Sequence, residues 1–335
     1  MTTATANRQI RLRERPDGRV DERTFEAVEK PAPQPGPGQA LVRNLYLSID
    51  PTNRAWIGEE PTYLPPVGIG EVMRSVGLGR VVESSSDAYP EGALVTGLVG
   101  WQEYTLAGGE GIPLTVLPEL ELPIECMLGA LGVTGITAWF GIEEIGRPQE
   151  GETLVVSAAA GAVGSVVGQL AKLRGARVVG IAGGAEKCGW LVDELGFDAA
   201  VDRHDPRWRE LLREACPDGV DVDFENVGGE IMDTVFSMLN LNARVALCGL
   251  ISEYNDDPRP GPNLRRVLSN RVLIKGFIVL DWFDRFPEAI TRLGALVAEG
   301  KVKDRHTVVE GLDRAPDAVN MLFDGENVGK LIVKL

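Results

Sequence analysis

Between Thr153 and Gly175 the apolar positions change period within one short stretch, TLVVSAAAGAVGSVVGQLAKLRG. Thr153 to Ser157 is a continuous run rich in β-branched side chains, the pattern of a parallel strand covered on both faces. Val163, Val166, Val167, Leu170 and Ala171 then recur at helical spacing and predict a helix with one apolar face. Between the two, Ala158 to Gly164 carries no side chain larger than valine. Such a turn lets a ligand approach the backbone closely, and the first amides of the helix point at it with the positive end of the dipole. The alternation continues downstream, with strands predicted near 153–157, 177–181, 199–202, 221–225, 243–248 and 272–279 and helices between the first five. This is the pattern of a doubly wound parallel α/β sheet.

The first 125 residues follow a different rule. Proline and glycine punctuate them, as in PAPQPGPG at 31–38, and the apolar runs are short and strand-like, including Ala40 to Tyr46, Gly79 to Glu83 and Tyr104 to Ala107. Two loops, SIDPTNRAW at 48–56 and PTYLPPVGIGEVM at 61–73, set polar and aromatic side chains on rigid turns of the kind that often line a site. From Ile124 to Ile145 the pattern turns helical, with Leu128, Leu131, Ile136, Trp139 and Phe140 on one face. Beyond Glu299 a strand, a helix from Ala315 and a final strand, Lys330 to Lys334, are predicted to rejoin the first domain. We therefore expect a β-rich domain from 1–125 with 300–335, and a dinucleotide-binding domain from 126–299. The gap from Ile251 to Asn270, holding NDDPRPGP, reads as an excursion loop near the site.

Composition narrows the partners. The 335 residues are 44% hydrophobic and 25% charged, ordinary for a globular protein, and a net charge of −15 argues against nucleic acid or an anionic membrane surface. The first residues show no apolar signal core and no run reaches the length of a membrane span, so a cytoplasmic protein is expected. Cys126, Cys188, Cys216 and Cys248 are scattered singly and read as buried free thiols. His204 and His306 are the two histidines, and neither stands at metal-ligand spacing, so no metal site is expected.

The turn reads AxGxxG, with Ala159, Gly161 and Gly164 in the three positions of the dinucleotide fingerprint, so a pyrophosphate is the expected guest. About twenty residues on, where NAD-binding folds place an acid on the ribose, the strand instead ends in Ala182, Gly183 and Gly184. Lys187 stands just beyond and can offer a cation to a 2′-phosphate, which favours NADP(H) over NAD(H). Glu186 is the competing residue, and reads better as a first-turn acid favoured by the helix dipole. Arg203 either joins Lys187 on the phosphate or is a solvated surface arginine.

With AAAGAVGSVVGQLAK, EKCGWLVDELGFDAA, ENVGGE, CGLISEYN, GFIV and GENVGKLIV in this order, the chain resembles the zinc-independent medium-chain dehydrogenase/reductases, and within them the alkenal, prostaglandin and curcumin double-bond reductases. The resemblance implies a Rossmann-type sheet beside a β-rich GroES-like catalytic domain. It also implies cofactor contacts at Ala162, Val163, Gly164 and Ser165 on the pyrophosphate, Lys187 on the 2′-phosphate, Asn226, and Cys248, Gly249, Ile251, Ser252 and Tyr254 after the fifth strand, completed by Phe277, Ile278, Val279 and Asn327. Asn226 and Asn327 also fit as plain turn residues. The chain departs from relatives at Arg203, where many have tyrosine, and in its DPTNR segment, where Thr52 and Asn53 replace an aromatic residue and a methionine.

The reaction so implied is hydride transfer to the β-carbon of an α,β-unsaturated carbonyl, an enone or alkenal, followed by protonation at the α-carbon. Charge then develops on the carbonyl oxygen, and a phenol with a pKa near 10 can donate to it at neutral pH. Tyr254 is the first candidate and Tyr63 the second, the former also readable as a ring covering the cofactor and the latter as a rim residue held by Pro65 and Pro66. Trp56, Trp282 and Phe283 read as apolar lining or packing. The rival functions are an NADPH quinone oxidoreductase and an NADP-binding protein without turnover. The apolar run Val272 to Leu280 could extend a sheet across a two-fold axis, so a homodimer is expected.

Overall fold

The computed structural model describes residues 5–108, 114–118, 122–255 and 261–335, so Asp256 to Pro260 of the NDDPRPGP loop lie outside the described residues. The chain divides into two compact units, residues 1–128 with 306–335 and residues 129–305. In the first, chain order runs β1 (Ala6–Leu12), β2 (Phe25–Pro31), β3 (Ala40–Ile49), α1 (Thr52–Trp56), β4 (Val76–Ser84), β5 (Leu94–Leu98), β6 (Tyr104–Ala107) and β7 (Thr115–Val116). The second holds α2 (Val133–Phe140), β8 (Thr153–Val156), α3 (Ala162–Leu173), β9 (Arg177–Ala182), α4 (Ala185–Gly189), β10 (Ala199–Asp202), α5 (Trp208–Ala215), β11 (Val220–Glu225), α6 (Gly229–Phe236), β12 (Leu239–Leu247), α7 (Arg265–Ser269), β13 (Leu273–Gly276) and α8 (Phe286–Ala298). The chain then returns to the first unit as β14 (His306–Glu310), α9 (Ala315–Asp324) and β15 (Lys330–Lys334).

In the first unit the strands are ordered β14-β15-β3-β4-β5-β7, with β6 also paired to β3, and β1 and β2 form a separate ribbon. The C-terminal strand β15 is antiparallel to β3, Val333 facing Leu47. A core of Leu12, Leu47, Ile49, Trp101 and Val333 fills the unit, with the rings of Phe25 and Trp101 5.0 Å apart. The polar segment at the end of β3 is built into this core rather than left on it. Lys330, 1% exposed, donates to the Ile49 carbonyl and to Asp50 Oδ1, each at 2.7 Å. Burying a charge is costly unless it is paired and hydrogen-bonded, and here it is both.

The second unit is one six-stranded parallel sheet, β10-β9-β8-β11-β12-β13. From β8 the chain winds outward through β9 and β10, and from β11 it winds the other way, so the strand order reverses between β8 and β11. In open sheets of this kind ligands bind beyond the carboxyl ends of the strands at that reversal. Leu154, Val155, Val156, Val222 and Phe224 are all fully buried, which is why β8 reads as a continuous apolar run, whereas β11 alternates apolar with acidic residues. Close helix packing needs small residues: a Cβ on Gly164 would stand 2.5 Å from the Ala158 carbonyl oxygen, and one on Gly168 1.9 Å from the Phe197 ring.

Three sequence expectations are corrected. The last strand does not run to 279: it stops at Gly276, and Phe277 turns inward against Phe224 and Trp282 at ring distances of 6.3 and 5.8 Å. The segment from Ile124 to Ile145 is not one helix. It is a short turn at Ile124–Met127, a break at 128–132 that holds two glycines, then α2 and wide turns from Gly141 to Gly146, because Gly129 and Gly132 weaken helix continuation. SIDPTNRAW is not wholly a loop, since α1 forms within it. Asn53 is buried there, its Oδ1 accepting from Asp50 N–H at 2.8 Å and its side-chain amide donating to the Arg74 carbonyl at 3.0 Å.

Candidate active site

The strand, turn and helix read first from the sequence form the floor of the site. β8 ends at Val156, Ala158 takes a left-handed backbone at φ 47°, and Gly161 enters α3 in an extended conformation. The amides of Ala162, Val163 and Gly164 open the twelve-residue helix and have no acceptors within it. Among the described residues no side chain caps the helix, so these amides leave its start open to an anion. Ser165 is buried on the first turn.

At the end of β9 the chain turns through Gly183 and Gly184, with Gly184 at φ 92°. Asp202 Oδ1 accepts the amides of Gly184 at 2.8 Å and His204 at 2.9 Å and so fastens this turn to the end of β10. Burial opposes the charge on Asp202, but these hydrogen bonds prevail and hold its carboxyl below the usual range. Arg203 and His204 fold over Gly183: a Cβ there would meet His204 Cε1 at 3.0 Å and Arg203 Nε at 3.2 Å. Lys187 is half-buried beside them, and burial first, then repulsion from Arg203, lowers its pKa. Glu186 is drawn away to Arg305 at 3.4 Å. Three basic side chains therefore gather around a glycine turn. His204 was not among the sequence candidates, because its value comes from the fold of the β10 turn and not from any spacing.

At the switch point, Asn226 follows β11 directly. Its N–H donates to Ser157 Oγ at 2.7 Å and its side-chain amide to the Ser157 carbonyl at 2.8 Å, leaving Oδ1 for other partners. Cys248 and Gly249 both donate their amides to the Glu225 carbonyl, at 2.9 and 3.1 Å. Burial, helped by the charge of Glu225, pushes the Cys248 thiol up to about 12, so it is inert as a nucleophile at neutral pH. Ile251, Ser252 and Glu253 form a short helical turn stitched to the 226–227 segment, and Tyr254 closes it. The Tyr254 hydroxyl lies back over the strand end, accepting Leu250 N–H at 3.4 Å and standing 3.5 Å from the Cβ position of Gly249. Burial raises its pKa, so the phenol keeps its proton.

The remaining candidates are less alike. Phe277 and Val279 are buried, Phe277 among the aromatic rings and Val279 with Phe140 and Trp282, which leaves Ile278 as the more exposed of the three. Trp282 is packing, stacked on Phe140 at 5.1 Å, whereas Phe283 is exposed. In the first unit, Asn327 is buried and its amide donates to the Gly329 carbonyl at 2.9 Å, closing its own turn. Tyr63 is exposed and meets Trp56 edge-on at 6.3 Å, and Trp56 itself is buried under Arg74.

A dinucleotide fits these residues: a turn of small side chains, an uncapped helix start and the neighbouring cations Lys187 and Arg203. Among the described residues no three His, Cys, Asp or Glu side chains come together to hold a metal ion. No helix among the described residues is long and apolar enough to cross a membrane.

Comparison with known proteins places the chain in a family. Residues 8–114 match the family model described as N-terminal domain of oxidoreductase, and residues 162–295 the one described as zinc-binding dehydrogenase. The chain is 42% identical to the NADPH-dependent curcumin reductase of Escherichia coli, covering 98% of this chain and 97% of that protein. It is 41% identical to mouse prostaglandin reductase 1, over 92% and 93% of the two chains. The crystal structure of CurA from Vibrio vulnificus in complex with NADPH superposes with a TM-score of 0.92 at 41% identity, covering 98% of each chain. The chain is thus an oxidoreductase of the medium-chain dehydrogenase/reductase family, in the branch that holds the curcumin and prostaglandin reductases.

Proposed function

We propose that this enzyme uses NADPH to reduce the carbon–carbon double bond of α,β-unsaturated carbonyl compounds, 2-alkenals and enones among them. The observation that carries the reading is the cation cluster at the end of β9, Lys187 with Arg203 over a glycine turn, on the same sheet edge as the Tyr254 phenol. The relatives' names, NADPH-dependent curcumin reductase and prostaglandin reductase, support both halves of it.

When bound, the cofactor supplies a hydride to the β-carbon of the substrate. The chain's own residues do the rest. Ala162, Val163, Gly164 and Ser165 hold the pyrophosphate through first-turn amides, and Lys187 and Arg203 bind the 2′-phosphate. Asn226, Cys248, Gly249, Ile251 and Ser252 line the strand ends, with Ile278, its neighbours Phe277 and Val279, and Asn327 completing the contacts. Tyr254 donates a hydrogen bond to the carbonyl oxygen as negative charge grows there, stabilising the enolate before the α-carbon is protonated. Tyr63 is the second donor or a wall of the substrate pocket.

A quinone reductase is the less favoured reading, since the ISEYN and ENVGGE segments and the relatives above belong to the double-bond reductases. A panel of alkenals, cyclic enones, aryl enones and quinones, each with NADPH and NADH, decides the matter. Saturated carbonyl product with NADPH is the expected outcome, and turnover confined to quinones, or none at all, overturns it. We also assign the enzyme to the cytoplasm, which its four free thiols suit.

A further inference from the structure

The turn that carries Asn226 is held from beneath by a carboxyl group the reaction does not consume. Glu225 ends β11, fully buried, and its Oε1 accepts three hydrogen bonds: Ser157 Oγ at 2.6 Å, Val227 N–H at 2.5 Å and Gly228 N–H at 2.9 Å. Its Oε2 makes none. The ties extend in both directions. Ser157, at the end of β8, receives both Asn226 donors, and on the other side Asn226 and Val227 offer their carbonyls to Ile251 N–H at 3.2 Å and Ser252 N–H at 3.0 Å. Ser252 Oγ adds a bond to the Val227 carbonyl at 2.6 Å. One carboxylate oxygen thus reaches the end of β8, the turn after β11 and, through that turn, the segment that ends in Tyr254.

Two residues earlier on the same face, Asp223 is equally buried, between Val155 and Val245 of the neighbouring strands, and neither of its oxygens has a hydrogen-bond partner among the described residues. Two carboxyl groups so close in a dry layer cannot both be charged. The three donors select Glu225 as the charged one. Asp223, with burial and the charge of Glu225 against it, stays protonated.

We propose that Glu225 is a positioning residue of this enzyme: its carboxylate, tied to Ser157, Val227 and Gly228, sets the placement of Asn226 against the cofactor and of Tyr254 against the substrate. The inference rests on the roles given above to Asn226 and Tyr254. Asp223, though as deeply buried, takes no part in it.

The test compares Glu225→Gln, Ser157→Ala, Asp223→Asn, Asn226→Ala and Tyr254→Phe in the full chain, with NADPH dissociation constant, KM, kcat for an enone and thermal midpoint as readouts. Glu225→Gln keeps the shape and loses the charge, so it should raise the NADPH dissociation constant about fivefold and lower kcat about tenfold, since small misplacements at a reacting centre are costly. Ser157→Ala, which removes the hydroxyl that links Glu225 to the Asn226 amide and leaves the carboxylate with its two backbone donors, moves both constants the same way by less. Asp223→Asn leaves both within about twofold, which separates positioning from burial alone. If Asn226→Ala and Tyr254→Phe weaken the enzyme while Glu225→Gln matches the wild type, or shifts only the thermal midpoint, the positioning role is overturned and the site reading stands. If Asn226→Ala and Tyr254→Phe are themselves without effect, the site reading fails and this inference fails with it.

Discussion

Lys187 and Arg203 are like charges brought together across the β9 and β10 turns, and Arg203 adds to burial in making the Lys187 charge harder to hold. Among the described residues, Asp202 lies nearby but has its Oδ1 committed to two backbone amides. A doubly charged phosphate relieves this repulsion. Lys187→Glu should therefore reverse or abolish the preference for NADPH over NADH, by about tenfold or more, because a charge-assisted hydrogen bond is lost and a repulsion gained. The pH dependence has a definite sign: the ammonium must be protonated to bind the phosphate, and its folded pKa is lowered. The KM for NADPH should thus rise on the alkaline side at a lower pH than an ordinary lysine would give, and Lys187→Arg should flatten the rise. Steady-state kinetics with both cofactors across that range is the check.

Tyr254→Phe removes the one phenol that lies at the strand ends of the second unit. If it donates to the developing enolate, kcat falls about 10- to 100-fold while the NADPH dissociation constant barely moves. Because burial keeps the phenol's pKa above its ordinary value, wild-type kcat should show no loss from tyrosine ionisation up to at least the normal range near pH 10. Full turnover by the phenylalanine variant would hand the donor role elsewhere.

Asp223 offers a stability test. Its folded pKa is raised above the unfolded value, so the stability it allows is fully present below about pH 4 and is lost as pH rises toward the folded pKa. Asn carries no such proton. The thermal midpoint of Asp223→Asn should accordingly gain on that of the wild type as pH is raised from about 4 to 8. A gap that stays constant over this interval would mean that Asp223 ionises in the folded protein as it does in the unfolded chain.

The short strand β13 lies at the edge of its sheet, and Leu273 on it and Leu268 just before it are 57% and 82% exposed. We propose that a second copy of the chain pairs along this edge to form a homodimer. Leu273→Asp should then shift the protein to monomer in light scattering at micromolar concentration, whereas a wild type already monomeric there would remove the proposal.

The sequence by itself determined the parallel sheet and the position of the small-residue turn between β8 and α3. Strands buried on both faces and a helix with one apolar face leave a strong periodic signal, and it is this strand before and helix after, more than the small residues themselves, that mark the turn between them. Lys187 was legible for a similar reason, since it stands at a fixed distance past the turn. What only the tertiary structure decided concerns residues whose role depends on neighbours far away in the chain. Glu225 and Ser157 are 68 positions apart and meet because β8 and β11 are adjacent in the sheet, which no local period records. His204 reaches Gly183 through the turn that Asp202 fastens, and Phe277 leaves the predicted strand because aromatic rings wait for it beneath the sheet. Hydrophobic period is written residue by residue along the chain, whereas hydrogen-bond partners and buried charge are settled by which strand lies beside which.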